Sequence, residues 1–92
     1  MIKSTEQNWT MTKPQYCVIA RTEKHVARVE LHKDGFAEIL IDGAEIFSTY
    51  HVASIIRSSD ALSFFHYNND GTMKASTPTR VNLGILNKIL SE

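Results

Sequence analysis

Apolar and polar residues alternate most cleanly between His25 and Ile41. In His25–His32, Ala27, Val29 and Leu31 fall on one side and Arg28, Glu30 and His32 on the other, the two-residue period of a strand with one wet face. Lys33-Asp34-Gly35 follows, and Asp-Gly supplies the positive φ angles that a tight hairpin demands. The return strand, Phe36 to Ile41, turns Ala37, Ile39 and Ile41 towards the core, and a second Asp-Gly at Asp42-Gly43 leads into a short extended segment, Ala44–Phe47. Upstream, Tyr16–Ala20 is rich in β-formers and reads as a first strand, joined to the second by the polar Arg21–Lys24.

Beyond Phe47 the period changes. Val52, Ile55 and Ile56 fall at i, i+3 and i+4, with Ser48 or Thr49 placed to cap and Arg57 placed to suit the dipole, which predicts a short helix ended by Ser58-Ser59-Asp60. Ala61–Tyr67 is an aromatic strand, Asn68–Gly71 a hairpin turn and Thr72–Ser76 its partner. Thr77-Pro78 then predicts a helix start, with threonine as N-cap and proline at the first helical position. Val81, Ile85 and Ile89 line one flank of that helix and Leu83, Leu86 and Leu90 the next; Gly84, which costs about 1 kcal/mol against alanine in a helix interior, marks close packing.

The predicted fold is therefore α+β: an antiparallel four- or five-stranded sheet in ββ(β)αββα order, with two helices packed on one face. Residues 1–14 read as an N-terminal arm, with Trp9 as a candidate anchor for a partner or for the domain's own core, and residues 15–92 as a single domain. A chain of 92 residues makes one domain with a modest core.

Composition narrows the function classes. Hydrophobic residues make up 42% and charged residues 22%, ordinary globular usage that argues against a disordered body. Ten basic and ten acidic residues cancel, which removes both a whole-molecule cationic field for nucleic acid and the acidic surface of a DNA mimic. The charge is polar along the chain all the same: five acidic residues and one basic lie within Glu30–Glu45, between two basic ends. A single cysteine, Cys17, excludes an internal disulfide framework and sits in an apolar run where a thiol serves as a small hydrophobe. No apolar stretch approaches the ~20 residues that span a bilayer, and Met1-Ile2-Lys3-Ser4 lacks the apolar core of a secretion signal, so a cytoplasmic setting is expected.

The search for chemistry returns little. His25, His32, His51 and His66 form no local pair at metal-ligand spacing and have no neighbouring thiolate, so no metal site is expected. Asp34, Asp42 and Asp70 each precede a glycine, where turns explain them, and the isolated glycines make no phosphate loop. No catalytic residue and no cofactor are assigned, and the chain is read as a non-enzyme. The one anion-binding candidate is the predicted helix start Ser76-Thr77-Pro78-Thr79-Arg80 with Lys74 nearby, whose N–H groups and side chains suit a phosphate or a carboxylate. Phe64, Phe65 and Tyr67 are close enough together that one must face outward from a regular strand, although a nucleic-acid binder also wants a basic stripe.

The compact hairpin build from Tyr16 to Leu90, with its Asp34-Gly35 and Asp42-Gly43 turns and no catalytic set, resembles the small proteins of phages and mobile elements, in particular the anti-CRISPR inhibitors of type I-F surveillance complexes. That resemblance implies stoichiometric binding to a CRISPR effector, including its guide RNA, and blockade of a host defence complex. Lys24, Arg28, Lys74 and Arg80 are the first candidates for charged interface contacts. The alternative is a small nucleic-acid-binding regulator gripping phosphate at the Thr77–Arg80 helix start.

Overall fold

The computed structural model describes residues 7–10 and 15–92. Eight strands and one helix follow in order: β1 (Gln7–Thr10), β2 (Gln15–Arg21), β3 (Val26–Leu31), β4 (Ala37–Ile41), β5 (Ala44–Thr49), β6 (Val52–Arg57), β7 (Ala61–His66), β8 (Thr79–Asn82) and α1 (Leu83–Leu90). They make two four-stranded antiparallel sheets, β2-β3-β4-β5 and β1-β6-β7-β8. The fold is thus mostly β, and the expected single sheet carrying two helices is overturned. Of the arm expected over residues 1–14, Gln7–Thr10 pairs with β6 at the edge of the second sheet; the rest lies outside the described residues.

The first sheet follows from its sequence. Ala27, Val29 and Leu31 on β3 and Ala37, Ile39 and Ile41 on β4 are buried, as the alternation requires. Gly35, Gly43 and Gly71 all take positive φ (92°, 85° and 86°), the conformation their turns need. Asp34 and Asp70 work within their own turns, accepting from the Phe36 and Thr72 N–H groups, while Asp42 accepts from the Val26 N–H of the neighbouring hairpin.

The expected helix over residues 48–57 is strand β6, and a bulge explains why its pattern reads as helical. The pairing of β6 with β7 runs Val52↔His66, then Ser54↔Phe65 and Ile55↔Phe64, so one extra residue is inserted between Val52 and Ser54. Such an insertion puts residues three apart on the same face of a strand, which is the spacing of a helix. Val52 and Ile55 are accordingly both buried, whereas Ile56 is only half-buried. Three β-branched residues in the run fit the extended state. Arg57 does not end a helix: it is buried, and its guanidinium donates to the Ile19 carbonyl at 3.1 Å, tying β6 of one sheet to β2 of the other.

The chain beyond β7 also departs from expectation. Asn68–Gly71 does turn, closed by the Gly71 N–H on the Asn68 carbonyl at 2.9 Å, but only a single bridge, Tyr67↔Met73, follows it in place of a strand over Thr72–Ser76. The true partner of β7 is β8, so Thr79–Asn82 is extended where a helix was expected. The helix begins at Leu83 and is capped by Asn82, whose side chain accepts from the Gly84 N–H at 2.7 Å. Gly84 is exposed, and a Cβ there would meet the capping Asn82 oxygen at 3.0 Å, so the close packing is with the cap alone. Leu83, Leu86 and Leu90 are buried, Val81 packs partly against them, and the Ile85–Ile89 flank faces outward.

One core serves both sheets and the helix. Ile19, Val29, Leu31 and Ile39 from the first sheet meet Val52, Ile55, Leu62 and Phe64 from the second, with Leu83, Leu86 and Leu90 from α1. Phe47 and Phe64 join the sheets directly, their ring centroids 5.6 Å apart. The strand assignment of β6 predicts that Ile55→Ala lowers stability by about 2–5 kcal/mol in urea unfolding while Ile56→Ala costs markedly less. Equal losses at the two positions would restore the helical reading.

Candidate interaction surface

The outer face of the first sheet is assembled by register. Tyr16 pairs with Glu30, Glu30 with Glu38 and Glu38 with Ser48, which makes one row across four strands. The adjacent row is Val18, Arg28, Leu40 and Glu45. Tyr16 is 73% exposed, and Val18 is also among the exposed large apolar residues. Leu40 is buried despite its place on this face, so its row is not uniformly open.

The charged members of this face are linked. Arg28 Nε donates to Glu30 Oε2 at 2.8 Å. His32 Nε2 lies 3.0 Å from Glu38 Oε2 and 3.4 Å from Glu30 Oε1. The His32 ring packs on Phe36 and Phe36 on Tyr50, with centroid separations of 5.6 and 5.1 Å. The charged cluster thus continues into an aromatic row that ends at an exposed tyrosine.

Two further histidines act as ties. His66 lies between the Tyr50 carbonyl, 2.9 Å from Nδ1, and the Thr79 hydroxyl, 2.7 Å from Nε2. A carbonyl only accepts, so Nδ1 carries a proton, and in the neutral ring Nε2 accepts from Thr79. That joins β7, β8 and the β5–β6 turn. His51, at φ 58°, meets Tyr67 edge to face at 5.5 Å, and the Tyr67 hydroxyl donates to the Asp34 carbonyl at 3.3 Å. Each group is committed to a structural contact.

His25 and Asp42 form a short polar contact between two turns, Nδ1 to Oδ2 at 2.5 Å, with His25 Nε2 3.4 Å from the Glu92 carbonyl. The Asp42 hydrogen bond raises the His25 pKa above its ordinary value, and the same bond, helped by the Val26 N–H, lowers that of Asp42. Beside the pair is an open depression lined by Thr22, Glu23, Lys24, Leu90, Ser91 and Glu92. Cys17, half-buried against the core, has its thiol pKa raised by desolvation, an effect that the Arg57 guanidinium opposes.

The four charges expected at an interface fall on separate elements. Lys24 lines the depression beside the β2–β3 turn, and Arg28 lies on the outer sheet face. Lys74 is in the β7–β8 connection, exposed, with its backbone N–H on the His66 carbonyl. Arg80 is on edge strand β8, where its guanidinium pairs with Asp60 at 3.3 Å. The expected anion site at Ser76–Arg80 loses its basis, because no helix starts there and the Thr79 hydroxyl and Arg80 are both engaged within the protein. The Glu30–His32–Glu38 cluster escaped the search for local metal-ligand spacing, since the ligands come from two strands; the Glu-x-His alternation before a hairpin was its one visible signal.

No protein-family model, curated protein or solved structure matches this chain. No helix among the described residues is long and apolar enough to cross a membrane.

The His25–Asp42 pair makes stability depend on pH in a defined direction. A raised histidine pKa contributes stability that is complete below the ordinary value of 6.5 and is lost as pH rises through the folded value. A lowered aspartate pKa contributes stability that is present above 3.8 and is lost as pH falls through the folded value. Thermal unfolding of wild type and Asp42→Asn against pH should therefore show the largest wild-type advantage between 3.8 and 6.5, shrinking on both sides. Asparagine tolerates the positive φ of this position, so the turn is kept. A gap that does not change with pH would assign the effect to the turn alone.

Proposed function

We propose that this chain is a non-catalytic binding module that acts by stoichiometric occupation of a protein complex, with the outer face of the first sheet as its contact surface. The observation that carries this reading is Tyr16, 73% exposed and directly opposite Glu30, with Arg28 in the adjacent row. Tyrosine and arginine are the residues most enriched at binding hot spots, and they act best where a rigid scaffold holds them. Here four paired strands hold them, and the polar neighbours form the satisfied surround that such a surface needs.

The resemblance to anti-CRISPR inhibitors supplies the partner class: a CRISPR surveillance complex in a bacterial host, with its guide RNA within reach of the basic side chains. A neutral chain suits occupation of a protein surface better than imitation of DNA charge. The nucleic-acid regulator is not carried forward, because the helix start on which it relied is a strand.

The test uses purified type I-F surveillance complex, its target duplex and this chain. Inhibition of target binding should saturate at a fixed molar ratio of chain to complex and survive nuclease treatment of the chain preparation. Tyr16→Ala and Arg28→Ala should each weaken binding by about 5–30-fold, the loss of 1–2 kcal/mol that a hot spot carries. An exposed tyrosine makes little stability difference, so the melting temperature should hold. Inhibition at ratios far below one would indicate an enzyme, and unchanged affinity in both variants would remove this face from the interface.

A further inference from the structure

The cluster at the end of the outer face has the composition and spacing of a metal site. Glu30 and His32 are two residues apart on the same side of one strand line, and Glu38 stands directly across from Glu30. One ligand atom from each, His32 Nε2, Glu30 Oε1 and Glu38 Oε2, lies within 4.8 Å of the others. The two nitrogen–oxygen separations are 3.0 and 3.4 Å. In a tetrahedral site with bonds of about 2.0–2.1 Å, ligand atoms stand roughly 3.3 Å apart. The nitrogen therefore already holds both carboxylate oxygens at the separations a bound ion would impose.

The surroundings favour a cation of a particular kind. Like charges directly opposed across two strands repel, and Glu30 and Glu38 are so opposed. Arg28 neutralises Glu30 alone, through Oε2, and leaves Oε1 for a ligand; among the described residues Glu38 pairs with His32 and with no lysine or arginine. The three side chains are 23%, 38% and 15% exposed, so water screens their repulsion incompletely while the cluster stays reachable. Phe36 backs the imidazole and limits its rotation. Calcium and magnesium take sets of oxygen ligands, whereas an imidazole with two carboxylates suits a borderline ion such as Zn²⁺.

We propose that Glu30, His32 and Glu38 form a three-ligand site for Zn²⁺ or a similar divalent transition-metal ion on the outer face of the first sheet. The ion takes the Nε2 lone pair of the neutral His32 imidazole whose hydrogen sits on Nδ1, any second ring proton passing to solvent, and the Arg28–Glu30 pair remains. Three protein ligands leave one tetrahedral position for water or for a donor from outside the chain. The site stands without the protein-binding reading, and either can fail alone.

The test titrates the full, metal-stripped chain with zinc chloride, reading heat by calorimetry and the histidine ring resonances by NMR. The expected result is one zinc per chain, with the His32 resonances moving and those of His25, His51 and His66 staying in place. His32→Gln and Glu38→Gln should each weaken binding more than about 10-fold, the lower bound set by losses of mere supporting contacts to metal ligands. Excess magnesium should not displace the zinc. Comparable movement of all four histidines, or unchanged affinity in both variants, would overturn the site; the wild-type resonances decide the matter even where a variant fails to fold.

Discussion

The shared apolar core is the constraint from which the rest of this protein follows. Each sheet has one inner face, and neither has any other element broad enough to cover it than the opposite sheet; α1, eight residues long, reaches only part of the way. Ile39 and Phe64 are fully buried on opposite sides of that contact. Burying side chains of that size is worth about 1.5–3 kcal/mol each, and no surface ion pair in the chain competes with it. The sheets therefore dock first in energetic importance, and the turns, caps and histidine ties adjust the edges of an arrangement already decided.

Docking by one face leaves the other free, and the two outer faces are not equivalent. The first sheet turns outward the row that contains Tyr16, Glu30 and Glu38. Its carboxylates, Glu30, Glu38 and Glu45, outnumber its bases, and Arg28 and His32 link two of them, so the face carries a modest negative charge. A surface of that kind discriminates by shape and by the matching of individual pairs more than by long-range attraction. That favours a defined protein contact over a generic polyanion, in agreement with the neutral balance of the chain as a whole.

How much of this could be read in advance depended on whether the local period told the truth. The meander from β2 to β5 was legible because strict alternation and two Asp-Gly turns agree with each other, and in the structure Ala27, Val29, Leu31, Ala37, Ile39 and Ile41 are all buried. The β6 strand was not, because the bulge at Val52–Ser54 changes a period of two into a spacing of three, and a lone sequence cannot tell the two causes apart. The start of α1 was misplaced for a related reason: Thr77-Pro78 is a sound cap by composition, but Thr79 and Val81 are β-branched and pairing with β7 satisfies their backbone better. The candidate surface was only half visible. Arg28 could be placed on a wet face, whereas Tyr16 and Glu38, opposite Glu30 on either side, depend on strand register, which pattern alone does not print.

Register also couples the core to the surface. The alternation that sends Val29 and Ile39 inward is the same one that sends Glu30 and Glu38 outward, and a slip of one residue between β3 and β4 would exchange the two sets. The cost of burying carboxylates in place of aliphatic side chains makes that slip prohibitive, so the core enforces the geometry of the outer cluster without any outer residue having to stabilise itself. The repulsion between Glu30 and Glu38 is held in place by hydrophobic energy from the opposite side of the same strands. A surface built this way can alter its outward residues while the inward ones keep the frame. That separation of roles suits the proposed binding role, in which a partner, and not the protein's own stability, sets the demands on the face.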